Sequence, residues 1–309
     1  MTKQYIYGID IGGSKIELAV FDASLKQLGS RRIATPQTSY QDFLTALVEM
    51  ISSADHKYQC CGAVGIGMPG IINANQEVLS ANVPHATGQN AAQDLAKLIN
   101  RPVAIENDCR CFALSEAKST IGLQHTRVFG AIIGTGAGGG LCIDGELYKS
   151  AQGIAGEYGH YSLSAVLQQK YQLPILKCGC GLTGCVESYI AGPGLARIHW
   201  HFSGKELTTF EIVEGLRKGD VFCQQSFACY LDLMGSTFAA IIMAYDPEVI
   251  VIGGGMSLVN ELVSNLEEAI VPYVFADIRV PKIVLAEFGD ASGARGAAIL
   301  AKAQVGVLS

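Results

Sequence analysis

Charge is scarce in this sequence of 309 residues, of which 16% are charged, with 22 Lys and Arg against 28 Asp and Glu. The net charge of −6 and the lack of a basic cluster argue against a broad surface for nucleic acid or an acidic membrane. No apolar run reaches the roughly 18 residues of a membrane-spanning helix. The start, MTKQYIYGIDIGG, lacks an apolar segment with a cleavage site, so we expect no signal peptide and a cytoplasmic protein.

Hydrophobic residues and glycine are abundant. The sequence is 49% hydrophobic and contains 36 glycines, a composition typical of a globular α/β protein. Its length allows two domains of ordinary size, each with its own core. The ten cysteines are expected to be reduced in the cytosol, where a tight cluster of them favours a metal site over a disulfide.

The pattern of strand, glycine turn and strand occurs twice, at residues 5–22 and again at 127–148. This repetition predicts two α/β halves that each open with a β-hairpin. We expect an N-terminal domain over residues 1–120 and a C-terminal domain over 121–289. A final helix at about 290–309 is expected to pack back on the first domain.

Further elements follow from hydrophobic periodicity and from turn signals. Helices are predicted at 40–56, 111–122, 230–245 and 293–304, and further strands at 31–36, 63–70, 102–108 and 248–255.

Two familiar nucleotide-binding motifs are excluded. The dinucleotide fingerprint G-x-G-x-x-G needs a helix directly after the glycines, because the helix N-terminus receives the pyrophosphate. Both matches are instead followed by strand or turn sequence; they are Gly65, Gly67, Gly70 and Gly134, Gly136, Gly139. No G-x-x-x-x-G-K-[ST] segment occurs, so a P-loop is also absent.

The hairpin tips are better candidates for phosphate binding. Backbone N–H groups at Gly12 and Gly13 can approach phosphate oxygens closely, and Ser14 and Lys15 add donors and positive charge. Asp10 could hold the hydrated Mg²⁺ that accompanies a nucleotide. The second tip offers the same groups, at Gly134, Thr135, Gly136, Ala137 and Gly138. A single loop of this kind is better explained as a plain tight turn, but two equivalent loops favour a nucleotide.

At this point the sequence resembles the ROK family of sugar kinases and repressors, in the actin-like ATPase superfamily. The segments that carry the resemblance are DIGGSK (10–15), END (106–108), IGTGAGGG (133–140), GEYGH (156–160), CGCGLTGCVE (178–187) and VIGGG (251–255). The resemblance implies a two-domain, ribonuclease H-like ATPase fold with a nucleotide and sugar cleft between duplicated halves. It also implies MgATP and a hexose as ligands, and it suggests a homodimer.

The resemblance assigns roles to individual residues. It makes Asp108 the catalytic base that accepts the sugar hydroxyl proton. It places Gly254 and Gly255 beside the adenosine. The sugar hydroxyls would be bound by Asn82, Asn107, Asp108, Glu157, His160 and Glu187.

Three cysteines with the spacing C-x-C-x₄-C lie in KCGCGLTGCVE. Cys178, Cys180 and Cys185 can supply three thiolates to one ion, and His160 can complete a tetrahedral Cys₃His zinc site. With four protein ligands such a zinc is structural and leaves no position for a catalytic water. The alternative is that these are buried free thiols and a core histidine.

Several acceptor sugars remain open. SANVPHATG (80–88) and the long gap between His160 and Cys178 are similar to bacterial N-acetyl-D-glucosamine kinases, which implies phosphorylation of the 6-hydroxyl of that sugar. Glucose, fructose and N-acetylmannosamine are alternative acceptors within the family. A sugar-responsive repressor would need an added helix-turn-helix segment, and GIDIGG begins at residue 8. A non-catalytic sugar sensor disagrees with the presence of Asp108, Lys15 and both glycine turns.

Overall fold

The computed structural model describes residues 5–308. Its strands are β1 (Ile6–Ile11), β2 (Lys15–Phe21), β3 (Gln27–Ala34), β4 (Ala63–Met68), β5 (Ile71–Ile72), β6 (Val78–Leu79), β7 (Val103–Asn107), β8 (Arg127–Ile133), β9 (Ala137–Ile143), β10 (Glu146–Leu147), β11 (Val249–Gly253) and β12 (Lys282–Leu285). Its α-helices are α1 (Tyr40–Tyr58), α2 (Ala91–Ile99), α3 (Asp108–Ala117), α4 (Ala165–Tyr171), α5 (Glu187–Ile190), α6 (Gly192–Ser203), α7 (Thr209–Arg217), α8 (Val221–Tyr245), α9 (Asn260–Ile270) and α10 (Ser292–Leu308).

The described residues form two compact units. The first contains the residues up to Leu123, Gly140–Ala155 and those from Phe288 onward, and the second contains Gln124–Gly139 and Gly156–Glu287. The expected domains 1–120 and 121–289 stay a prediction, because compactness alone does not define a domain that folds independently.

The first unit is built on a five-stranded sheet with the order β3-β2-β1-β4-β7. β1, β2 and β3 pair antiparallel, whereas β4 and β7 join them in parallel. The hairpin and the strands predicted at 63–70 and 102–108 are therefore confirmed, as β4 and β7. The third strand covers 27–34 and not 31–36. The turn after β2 ends at residue 26, so the polar residues that follow it already belong to the strand.

The two faces of this sheet differ in what covers them. Side chains alternate along a strand, so Tyr7, Ile9 and Ile11 of β1 face a core that also contains Phe43 and Leu47 of α1. The opposite face of β1 is covered by α10. A Cβ built on Gly8 would lie 1.8 Å from the Ala294 carbonyl oxygen of α10, so only glycine permits this approach.

The helices α1 and α3 of the first unit begin at side-chain caps. Ser39 accepts a hydrogen bond from the Asp42 N–H at the start of α1, as the predicted helix requires. The prediction that a helix begins at residue 111 was wrong. α3 starts at Asp108, because the Asn107 side chain caps it by accepting from the Arg110 N–H at 3.0 Å.

The second sheet repeats the order of the first, as β10-β9-β8-β11-β12. Its last three strands, β8, β11 and β12, are parallel, and β9 and β10 are antiparallel. The duplicated plan expected from the sequence is therefore confirmed, although the division between the two compact units runs within β9, after Gly139.

The helix α8 forms much of the second unit's core. It begins at Val221, nine residues before the predicted start, with Asp220 accepting a hydrogen bond from the Cys223 N–H. By length and composition it is the one helix in the described part of the chain that could cross a membrane, but 61% of its most apolar 18-residue window is buried within the protein. Such burial is typical of a core helix.

Candidate functional site

The first glycine turn connects β1 and β2 in the first unit. The Gly12 N–H donates to the Lys15 carbonyl at 2.8 Å, and the Gly12 carbonyl accepts from the Thr35 hydroxyl at 2.7 Å. The Gly13 carbonyl accepts from the Gln37 side chain at 2.7 Å. Side chains from the chain segment after β3 thus hold the turn in one shape, with the side chains of Ser14 and Lys15 exposed to solvent.

Asn82 lies beside this turn. A Cβ built on Gly13 would lie 3.1 Å from the Asn82 carbonyl oxygen and 3.4 Å from its Cβ. The structure therefore brings together an expected phosphate-binding residue and an expected sugar-binding residue that are far apart in the sequence.

Asp10 is on the face of β1 that α10 covers, because it is two residues along from Gly8. A Cβ built on Gly293, in the first turn of α10, would lie 2.8 Å from Asp10 Oδ2. Burial, together with the charges of Asp108 and Glu17, raises the pKa of the Asp10 carboxyl from 3.8 to about 7. Asp10 is paired with Gly67 of β4, and a Cβ on Gly67 would lie 3.6 Å from the Asp108 Cα. Because Gly67 has no side chain, the carboxylates of Asp10 and Asp108 lie near one another.

Asp108 is the first residue of α3, directly after β7. The preceding Asn107 is buried, and its side-chain amide donates to the Gly70 carbonyl at 2.8 Å while its oxygen caps α3. Burial raises the pKa of the Asp108 carboxyl, although its hydrogen bond with the Cys109 N–H at 2.9 Å opposes the increase. A raised pKa makes the ionised carboxylate a stronger proton acceptor, as a general base requires.

Two charged residues of this turn had no role in the sequence-based prediction. Glu106 Oε1 accepts from the Asn107 N–H at 2.9 Å and lies 3.0 Å from Arg110 Nε. The spacing of four residues between a Glu and an Arg was a visible signal. The sequence did not show that the arginine is buried.

The second glycine turn, Gly134–Gly136, connects β8 and β9 in the second unit. The Gly134 N–H donates to the Gly136 carbonyl at 2.9 Å, and the Gly134 carbonyl accepts from the Gly192 N–H of α6 at 2.8 Å. A Cβ on Gly159 would lie 2.0 Å from the Ala137 carbonyl oxygen. Gly192 thus hydrogen-bonds to the turn, and Gly159 packs directly against its backbone. Gly138 continues β9, and Thr135 lines a cavity of about 230 Å³ next to Cys178 and Glu187.

Gly254 follows β11 and has φ of +82°, in the region that favours glycine. A Cβ there would lie 2.5 Å from the Ile133 carbonyl oxygen, at the end of β8. Gly254 therefore sits next to the strand that leads into the second glycine turn. Gly255 starts a short 3₁₀ helix, Gly255–Leu258.

The four expected metal ligands form one cluster. Ligand atoms of His160, Cys178, Cys180 and Cys185 all lie within 4.8 Å of one another. The Sγ atoms of Cys180 and Cys185 are 3.7 Å apart, and His160 Nδ1 is 3.8 Å from Cys178 Sγ. A tetrahedral zinc with Zn–S bonds of about 2.3 Å separates its sulfurs by roughly 3.8 Å. Donor chemistry and spacing both fit zinc, and occupancy stays a prediction.

Two carboxylates adjoin this cluster. Glu157 Oε2 lies 3.6 Å from His160 Nε2, the ring nitrogen on the side away from the thiols. Glu187 Oε2 accepts from the Ala137 N–H at 2.9 Å, and Glu187 Oε1 accepts from the Cys178 thiol at 3.7 Å. Glu187 thereby connects the second glycine turn to the cysteine cluster, a link that the sequence did not predict.

Comparisons with known proteins agree with this architecture. The model of the ROK family matches residues 6–304. The sequence is 47% identical over 294 residues to N-acetylgalactosamine kinase AgaK of Shewanella sp. strain ANA-3, covering 95% of this chain and 96% of that protein. It is 39% identical over 297 residues to N-acetyl-D-glucosamine kinase of Escherichia coli O127:H6, covering 95% and 98%.

A solved structure has the same fold. The crystal structure of a ROK hexokinase from Thermus thermophilus superposes with a TM-score of 0.85 and 29% identity, covering 98% of this chain and all of that chain, 100%. Similarity at this level extends from the first strand to the last helix.

Proposed function

Because this chain belongs to the ROK family and is an ATP-dependent sugar kinase, we propose that it phosphorylates the 6-hydroxyl of an N-acetylated hexosamine. The observation that carries the proposal is that the two relatives above, at 47% and 39% identity, are both named for acceptors of this class. The sugars in those names differ only at the 4-hydroxyl. N-acetyl-D-glucosamine is the acceptor that the sequence motifs favour, and the 47% identity makes N-acetylgalactosamine the second candidate.

Asp108 is the proposed catalytic base. Its carboxylate would accept the proton of the sugar hydroxyl as the oxygen attacks the γ-phosphorus of ATP. Its half-buried position and raised pKa support this role. The hydrogen bonds that Asn107 makes with the Gly70 carbonyl and the Arg110 N–H fix the turn on which the base lies.

The phosphates of ATP would be bound by the two glycine turns. Gly12 and Gly13 would present backbone N–H groups, with Ser14 and Lys15 adding a hydroxyl and an ammonium. Gly134–Gly138 would do the same in the second unit, and Gly254 and Gly255 would contact the adenosine. Asp10 would hold the Mg²⁺ ion, since a hard cation prefers carboxylate and water oxygens.

Five side chains besides Asp108 are proposed as ligands of the sugar. Asn82, Asn107, Glu157, His160 and Glu187 would bind its hydroxyl groups. Their donor and acceptor groups suit the hydroxyl-rich face of a hexose.

Zinc would be bound by His160 Nδ1 and the thiolates of Cys178, Cys180 and Cys185. Bound there, it would cross-link the segments that carry Glu157 and Glu187 without taking part in phosphoryl transfer. The neutral imidazole would then keep its one N–H at Nε2, which lies 3.6 Å from Glu157 Oε2, for donation to a sugar hydroxyl.

An acceptor panel tests the proposal. ADP release from MgATP should be measured with N-acetylglucosamine, N-acetylgalactosamine, N-acetylmannosamine, glucose and fructose, and the phosphorylated position determined by NMR. We expect kcat/KM for one of the first two sugars to exceed that for glucose at least about tenfold, since a site built around a polar group rejects analogues that lack it. Preference for glucose or fructose would contradict the acceptor class. Lack of turnover with all five would instead support a non-catalytic sugar sensor.

A further inference from the structure

Arg110 is the largest fully buried side chain in the described part of the chain, with 2% of its surface exposed. Removing a guanidinium from water costs several kcal/mol unless opposite charge and hydrogen bonds compensate it. A buried arginine two residues after the proposed base therefore needs a physical explanation.

Each of the three guanidinium nitrogens has a partner. Nη1 donates to the Ala155 carbonyl at 2.9 Å, and Nη2 donates to the Tyr148 carbonyl at 2.8 Å. Nε lies 3.0 Å from Glu106 Oε1, at an angle that makes the contact an ion pair and not a hydrogen bond. The planar guanidinium thus connects three backbone or side-chain oxygens in fixed directions, which a lysine could not do.

These contacts close a ring around Asn107. The same Glu106 oxygen accepts from the Asn107 N–H, and the Asn107 side chain accepts from the Arg110 N–H. The turn between β7 and α3 is therefore held at both ends by one pair of opposite charges. The direction in which the Asp108 carboxylate leaves the backbone depends on the shape of this turn.

We infer that Arg110, acting through Glu106, is a positioning residue that orients the Asp108 carboxylate for phosphoryl transfer. The inference rests on the proposed role of Asp108 as base. In this role Arg110, which is 2% exposed, need not touch either substrate. It acts by keeping the turn in a single geometry, and a displacement of about 1 Å in a reacting group can cost roughly 100-fold in rate.

The surroundings of Arg110 allow a chemical test. Arg110 and Glu106 both line a cavity of about 550 Å³ within the first unit. In an Arg110→Ala variant the vacated space would join this cavity, which leaves room for a guanidinium or ethylguanidinium ion. A small cation could then restore the charge beside Glu106 without a covalent link.

The experiment compares Arg110→Ala, Arg110→Lys and the wild type in the full-length protein. We expect kcat of Arg110→Ala to fall about 100-fold while KM for ATP changes less than about threefold, because only the chemical step depends on the base. Millimolar ethylguanidinium should recover at least about tenfold of that loss. Arg110→Lys should lie between the two.

Arg101→Ala is the matched control. Arg101 also forms an ion pair within the first unit, with Asp55 at 2.8 Å, and is 15% exposed at its side chain. Its removal should lower the thermal midpoint, leave kcat unchanged and give no response to ethylguanidinium.

A second variant covers the case in which Arg110→Ala does not fold. Glu106→Gln combined with Arg110→Met removes both charges and leaves neither buried alone. The kcat of this double variant should be as low as that of Arg110→Ala.

Two outcomes separate this inference from the proposed function. If Asp108→Asn is inactive and the Arg110 variants fold yet keep wild-type kcat, the inference is wrong and the base assignment stands. If Asp108→Asn keeps its activity, the base assignment fails and the inference fails with it. Loss of kcat in Arg110→Ala with no recovery in ethylguanidinium and equal losses in KM would also overturn the inference.

Discussion

Replacing Asp10 by Asn should stabilise the protein without ligands and weaken its use of Mg²⁺. Burial first, and then the charges of Asp108 and Glu17, raise the pKa of the Asp10 carboxyl from 3.8 to about 7. An acid with a raised pKa binds its proton more tightly in the folded state. Folding is therefore penalised as pH rises from about 4, and the full penalty is present above about 7.

The magnitude follows from the two pKa values. A change from 3.8 to about 7 corresponds to roughly 4 kcal/mol of unfolding free energy at pH 8.5. At pH 4.5 most of the penalty is absent, with about 1 kcal/mol left. An uncharged Asn avoids the penalty at both values. With about 2 °C or more per kcal/mol, the thermal midpoint should rise by about 8 °C at pH 8.5 and by about 2 °C at pH 4.5.

Differential scanning calorimetry in EDTA, without nucleotide, measures both midpoints. Asp22→Asn serves as control, because hydrogen bonds from Ser24 and Lys26 lower the pKa of that exposed carboxyl and reverse the direction of any effect. A midpoint of Asp10→Asn that falls, or that rises equally at the two pH values, would refute the reasoning. In activity assays the same variant should need at least about tenfold more Mg²⁺, since it loses a carboxylate ligand.

Three further predictions concern the site. Asp108→Asn should retain less than about 1% of kcat while ATP and sugar still bind by calorimetry, because a positioned base contributes 10²–10⁴-fold; higher activity would argue against the base. Cys180→Ser should lose both the zinc, about one per chain by atomic emission, and sugar phosphorylation; full activity without zinc would contradict the structural role. Gly136→Ala should raise KM for ATP about tenfold, since the new Cβ would lie 2.9 Å from Glu187 Oε2 and displace it from the Ala137 N–H. An unchanged KM would show that this contact does not shape the turn.

Local patterns were enough to predict most of the fold. The two hairpins follow from alternating apolar residues around glycine turns, which are properties of neighbouring residues. The errors lie at the start of β3 and at helix starts. α3 begins at Asp108 and α8 at Val221, because Asn107 and Asp220 are caps whose side chains accept from N–H groups three residues ahead. Asparagine and aspartate after a strand or a turn are equally compatible with a loop, so the sequence alone did not identify these caps.

The site was predictable where its residues are close in the sequence and unpredictable where they are not. The cysteine spacing predicted a cluster, and the structure brings Cys178, Cys180, Cys185 and His160 together. The contact between Glu187 and the Ala137 N–H joins residues 50 positions apart, and no periodicity encodes it. No sequence pattern predicts the contact between Gly293 of α10 and Asp10 either, because it depends on the tertiary packing of two segments that are remote in the sequence.

The close packing of α10 against the first sheet also affects the order in which the two units can fold during translation. A Cβ at Gly8 would lie 1.8 Å from the Ala294 carbonyl oxygen of α10, and a Cβ at Gly65 would lie 1.9 Å from the Ala297 carbonyl oxygen. No side chain fits at either position, because α10 packs directly on the backbone of the sheet there. On the ribosome, β1 and β4 emerge long before residues 292–308 are translated, and the whole second unit lies between β4 and α10 in the sequence. The second unit can thus complete its core first. The face of the first sheet that carries Gly8 and Gly65 stays uncovered until α10 is translated, and transiently exposed sheet surface of this kind favours aggregation.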